Sequence, residues 1–96
     1  MRWSGRDPLA LGSYATGLLQ RAIVTGTDAD VDVALAEWQH IVGLDPNRAA
    51  WQLQLGRAAA LAGNDDVALA AWTAADALDP SDQRARALLQ ALGSHG

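Results

Sequence analysis

Apolar residues recur along most of this chain at intervals of three and four, the period of a helix with one buried face. The clearest run lies between Ala49 and Ala62, where Trp51, Leu55, Ala58, Ala59 and Ala62 share one side. Asn47 is placed to cap that helix. Gly63–Asn64 closes it with a left-handed turn that glycine adopts at little cost. A second stripe follows with Val67, Ala68, Ala71, Trp72, Ala75 and Leu78. It stops at Asp79–Pro80, because proline disfavours helical geometry in the residue before it. Nearer the N-terminus, Leu11, Tyr14, Leu18 and Ala22 predict a helix that opens at Asp7–Pro8 and ends near Gly26. Val33, Ala34, Trp38, Ile41 and Leu44 predict the next, ended by Asp45–Pro46. Ser81 is placed to cap a last helix whose apolar side is Leu88, Leu89 and Leu92. No stretch alternates with the period of a strand. The prediction is all-α, with five helices, residues 1–6 a loose arm and residues 93–96 a frayed tail.

Two of these helices repeat one phrase. VALAEWQHIVGLDP begins at Val33 and VALAAWTAADALDP begins at Val67, 34 residues on. Each copy is the second half of a helix–turn–helix hairpin. The first hairpin carries three extra residues within TDADVD, which predicts a longer turn. A hairpin repeating at this period resembles the tetratricopeptide repeat. The second copy carries the likeness best: Leu55–Gly56, Gly63 at the turn, then Ala68, Trp72, Ala75 and Leu78–Asp79–Pro80. Gly56, Ala68 and Ala75 fall where that family brings helices close together. The first copy keeps Ala34, Trp38 and Leu44–Asp45–Pro46. It departs with Leu19 at the glycine position, Ile41 at an alanine position, and the longer turn.

The resemblance implies antiparallel hairpins stacked as a short right-handed α-solenoid. It divides the chain into hairpins at 7–46 and 47–80 and a capping helix at 81–92. It also implies no catalysis. Members of the family bind a peptide or partner helix in a groove lined by the first helix of each hairpin. On that pattern Thr16, Gln20, Ile23 and Val24 face the groove from the first hairpin. Leu53, Gln54, Arg57 and Leu61 face it from the second, and Arg84 and Leu88 from the capping helix. Arg57 and Arg84 are expected to offer forked hydrogen bonds to a carboxylate, or else to be solvated surface arginines. Some members clamp a partner's terminal carboxylate with Lys and Asn. Here Leu53 stands where such a Lys would, and the chain has no Lys, so that clamp is not expected.

Composition narrows the field further. Half of the 96 residues are apolar and 19% are charged, a globular balance. Phe is absent and Ala abundant, so the four Trp must supply much of the core's bulk. A net charge of −4 argues against nucleic acid or an anionic membrane surface as partner, since both need clustered cations. The segment PLALGSYATGLLQRAIV contains Gln20–Arg21 and has too short an apolar run to span a bilayer; it reads as an amphipathic helix. No membrane insertion is expected. Cysteine is absent, which removes disulfides, thiolate metal sites and a Cys nucleophile. The working expectation for location is cytoplasmic.

No candidate chemistry survives inspection. Asp28, Asp30 and Asp32 have the spacing of a calcium loop, but Val33 stands where Gly is needed and Gln39 where Glu is needed. They read as acids favouring a helix N-terminus. His40 has no partner at ligand spacing, and no Ser–His–Asp set or phosphate-binding Gly-rich motif is present. Trp38 and Trp72 are expected in the core. Trp51 is expected to pack toward the first hairpin, and Trp3 to be an anchor or to hang free. The expectation is a module that binds a protein or peptide, without cofactor or metal. The alternative is an assembly role, either self-association into a homo-oligomer or a C-terminal tail module of a larger protein, because two repeats leave apolar ends uncovered. An enzyme ranks below both.

Overall fold

The computed structural model describes residues 8–94, with side chains from 11 to 93. These residues form five helices: α1 (Pro8–Thr25), α2 (Asp28–Leu44), α3 (Ala49–Leu61), α4 (Asp65–Leu78) and α5 (Gln83–Ser94). No strand occurs among the described residues. The predicted arm, with Trp3, lies outside them. Each helix packs on the next, and α1 also reaches α3. The result measures 49 × 32 × 18 Å. Its thin dimension suits two layers of helices at the usual spacing of roughly 8–10 Å.

The turns between paired helices are built on glycine. Gly26 has φ 65° and Gly63 has φ 78°, a region where a side chain would be strained. The three extra residues of the first hairpin do not lengthen its turn. They extend α2, which has 17 residues against 14 in α4. Thr27 makes this possible: its hydroxyl accepts from the Asp30 amide and starts the helix two residues after α1 ends. Asn64 does the same for α4, accepting from the Val67 amide at 3.3 Å.

Two predicted caps are corrected. The residue capping α3 is Arg48, not Asn47, and it makes no side-chain capping bond. Asn47 is used in the turn after Pro46, while the Arg48 carbonyl accepts from the Trp51 and Gln52 amides. At α5 it is Asp82, not Ser81, whose carboxylate accepts from the Arg84 amide at 3.0 Å. The Ser81 hydroxyl is turned back to Asp79. The helix also runs to Ser94, past the predicted end.

Trp38, Leu19 and Ile41 are the largest fully buried side chains, each stabilising the fold by roughly 1.5–3 kcal/mol. They share a cluster with Ala15, Leu55, Ala58 and Ala71, so residues from α1 to α4 meet in one place. A second cluster joins α3, α4 and α5 through Leu53, Ala59, Ala68, Trp72, Ala75 and Ala85. Leu88, Leu89 and Leu92 of α5 pack against it. Helix α3 therefore works on two sides, which is why Gln52, Leu53, Leu55, Gly56, Ala58 and Ala59 are all buried in it.

The two repeated tryptophans are both buried, but they are held differently. Trp72 lies over Gly56, where a Cβ would collide with its Nε1 and Cδ1. That close approach lets Nε1 donate to the Leu53 carbonyl at 3.1 Å. In the first hairpin Leu19 stands in the glycine position. The Trp38 Nε1 is buried and has no hydrogen-bond partner among the described residues. Trp51 joins the two hairpins. Its ring fills the space above Gly12 of α1 and lies 5.5 Å from the Trp38 ring. Arg48 sits over its other side at 5.3 Å.

Several stripe positions are also corrected. Tyr14 is 58% exposed; Ala15, Leu19 and Ala22 take the inward face of α1. Gly12 makes room there for Trp51, and Ala22 for Val31 and Ala34 of α2. Val33 is exposed and Val31 is buried in its place. Leu44, Leu78 and Ala62 lie at helix ends and face outward.

Candidate functional site

A depression of about 430 Å³ opens between α1, α3 and α5, lined by Ile23, Arg57, Ala60, Leu61 and Leu88, with Trp72 of α4 also contributing. It adjoins a second of about 400 Å³, which shares Ala60, Trp72 and Leu88 and adds Asp65, Ala91 and Leu92. Volumes of this size lie in the range of small binding clefts. The surface is mostly apolar, with one cation and one carboxylate.

Local structure explains how these side chains come together. Arg57, Ala60 and Leu61 are three and four residues apart, so they occupy one face of α3 a single turn in length. The opposite face of that helix is committed to the two core clusters. Ile23 comes from the last turns of α1, and Leu88 from the face of α5 that leans on Trp72. Ile23 and Leu61 remain about half exposed, at 51% and 45%. Tyr14, Val24, Val33 and Leu69 are comparably exposed elsewhere, so what singles out Ile23 and Leu61 is that they share one hollow.

The sequence-predicted groove residues divide into three groups. Ile23, Arg57, Leu61 and Leu88 are brought together around the depression. Thr16 and Gln20 lie on the same face of α1, two turns and one turn before Ile23, and do not line it. The Thr16 hydroxyl donates to the Gly12 carbonyl at 2.7 Å, and Gln20 is exposed. Gln54 is half-buried, and its Oε1 is buried without a donor among the described residues. Val24 is exposed beside Ile23. Leu53 is a correction: it is 4% exposed and packs in the core with Ala68 and Trp72. The reason is the double duty of α3, which turns Leu53 inward toward α4 and α5.

The two arginines also separate. Arg84 is engaged by Asp82, with Nη2 2.6 Å and Nε 3.0 Å from the carboxylate. Its own forked bonds and amide hold the Asp82 carboxyl down to about 2, and that carboxylate in turn raises the Arg84 guanidinium. Arg84 is therefore not a free hook for a ligand. Arg21, Arg48 and Arg86 pair with Asp30, Asp45 and Asp76. Arg57 is the one described arginine without an ion-pair partner among the described residues, and it is the one beside the apolar hollow.

Ala60, Asp65, Trp72, Ala91 and Leu92 were not expected at the site. Ala60 was legible, since it follows Arg57 by three on a helix already assigned. Trp72 was not, because its ring edge reaches the surface while its bulk stays in the core. The acids of the first turn of α2 have a local task. Asp30 accepts from the Thr25 hydroxyl at 2.7 Å and lies 3.7 Å from Arg21. The Thr25 and Thr27 hydroxyls, with Arg21, hold its carboxyl below the usual range. Among the described residues, no group of three or more His, Asp or Glu is arranged to hold a metal ion. No described helix is long and apolar enough to cross a membrane. No protein-family model, curated protein or solved structure matches the chain.

Proposed function

We propose that this protein is a non-catalytic interaction module of the tetratricopeptide kind, two stacked hairpins closed by α5, which takes a peptide or partner helix into the hollow between α1, α3 and α5. The observation that carries the reading is the hollow itself. Ile23, Arg57, Leu61 and Leu88 come from three helices and meet around an apolar floor. The order of contacts supports the stacking, with each helix on its neighbour and α1 on α3. So does the close approach of Trp72 to Gly56. Affinity would come from burying apolar side chains, at roughly 25 cal/mol for each Å² removed from water.

Affinity capture with the wild type beside two variants tests this. Ala60→Arg fills the hollow from an exposed position, whereas Arg84→Ala changes a charge away from it. A partner that binds in the hollow is retained by Arg84→Ala and lost by Ala60→Arg. Equal recovery by all three proteins would place the binding surface elsewhere.

Self-association is the second reading. It is favoured by Tyr14, Val33 and Leu69, large apolar side chains at least half exposed and outside the hollow. Light scattering across the micromolar range decides it, and a mass that stays at one chain removes it.

A further inference from the structure

We infer that the partner taken into this hollow is an acidic amphipathic helix, presenting an apolar anchor and, three or four residues from it, a carboxylate for Arg57. The inference rests on the interaction reading above and adds the chemistry of the ligand.

Charge complementarity carries it. Arg21, Arg48, Arg84 and Arg86 each have a carboxylate within 4 Å. Arg57 has none among the described residues, in a chain where acids outnumber basic residues by 11 to 7. A guanidinium unpaired among the described residues, at the edge of an apolar hollow, fits a carboxylate supplied from outside. Spacing gives the helix. On α3, Arg57 lies one turn, about 5 Å, from Ala60 and Leu61. A ligand helix lying along α3 matches that step when its acid and its anchor are three or four residues apart. The second hollow shares Ala60, Trp72 and Leu88 with the first, so it has room for a further apolar side chain from the same helix. The chain's own segment ahead of α1 is a poorer match in charge, with Arg2 and Arg6 against the single acid Asp7.

A displayed library of helical peptides provides the test. Two leucines are fixed four residues apart, and the positions three and four residues from each are varied among Glu, Gln, Lys and Ala. The library is selected on the wild type, on Arg57→Glu and on Ala60→Arg, each first shown by circular dichroism to be folded. The expected result is enrichment of Glu over Lys by about twofold to fivefold on the wild type, the scale of one exposed ion pair. On Arg57→Glu that preference should reverse, and on Ala60→Arg all enrichment should vanish. Enrichment that depends on Ala60 but is the same for Glu and Lys overturns the acidic ligand and leaves the interaction reading standing. Enrichment indifferent to Ala60→Arg, or none on any protein, overturns both. Sedimentation velocity of the free protein completes the test. A dimer that Ala60→Arg converts to monomer means that a second copy fills the hollow, and the proposal fails.

Discussion

At the scale of single residues, the two repeats set up a controlled comparison. Trp72 is hydrogen-bonded because Gly56 lets it approach α3. Trp38 is equally buried, but Leu19 stands where the glycine would be and its N–H is unpaired among the described residues. A buried polar group without a partner costs about 1–3 kcal/mol, while a satisfied one contributes about 1. Phe at either position gives up ring volume. At Trp72 it also gives up a hydrogen bond, whereas at Trp38 it removes an unpaired donor. Trp72→Phe is therefore expected to lower stability more than Trp38→Phe, by about 1 kcal/mol or more, measured as the difference between urea midpoints at constant m. Equal losses would show that the Trp72 bond contributes nothing. The glycines make a second comparison. Gly56→Ala drives a methyl into the Trp72 ring and is expected to cost about 1–3 kcal/mol. Gly17→Ala, on an exposed turn of α1 with nothing near it, is expected to stabilise by about 0.5–1 kcal/mol. Thermal melting of the two variants should move in opposite directions.

At the scale of elements, α5 is the helix whose start depends most directly on an ionised group. The Asp82 carboxylate receives both the Arg84 amide and its guanidinium, and its pKa falls from 3.8 to about 2. A carboxyl whose folded pKa is depressed contributes stability that is fully present above its unfolded value. That contribution is lost as pH falls through the folded value. Amide exchange in the first turn of α5 is thus expected to quicken between pH 4 and pH 2 relative to α3, once corrected for intrinsic rates. Asp82→Asn, which keeps an acceptor but no charge, should flatten that difference. The apolar period located this helix, but Ser81 was expected as its cap because Ser81 and Asp82 satisfy the same preference. Asn47 failed differently: it is used in the turn, and Arg48 takes the cap position through its backbone alone. Helix period located the elements; which of several adjacent cap-competent residues is used depends on the turn before it. The extra residues of TDADVD mislead for a related reason. Thr27 can cap as readily as any later residue, so an insertion that looks like loop becomes helix.

At the scale of the whole molecule, burial on α3 explains both what was legible and what was not. A single amphipathic stripe predicts one buried face, yet α3 is covered on two sides, and that second side takes Leu53 out of the groove. Nothing in its local sequence distinguishes Leu53 from Leu61; only the position of α5 does. The four groove residues that do converge come from the ends and faces that stacking leaves open. On the stacked arrangement proposed above, the joint between hairpins is the place where cooperativity is decided. In repeat arrays, stability is a sum of each unit's own term and the term for its contact with the next. At the contact between hairpins, Trp51 packs against the cluster of Leu19, Trp38, Ile41 and Leu55, touches Gly12 and Trp38, and lies under Arg48. Trp51→Ala is expected to cost about 2–4 kcal/mol, less than for a fully buried tryptophan because its side chain is only partly covered. The loss should fall unevenly. Amides of α1 and α2 should exchange faster than those of α3 and α4, because the second hairpin keeps α5 and the first has no further helix among the described residues. Trp72→Ala acts inside the second hairpin and against α5, so it should speed exchange throughout. If Trp51→Ala lowers protection equally in all five helices, the hairpins are not separable units and the chain folds as one indivisible bundle.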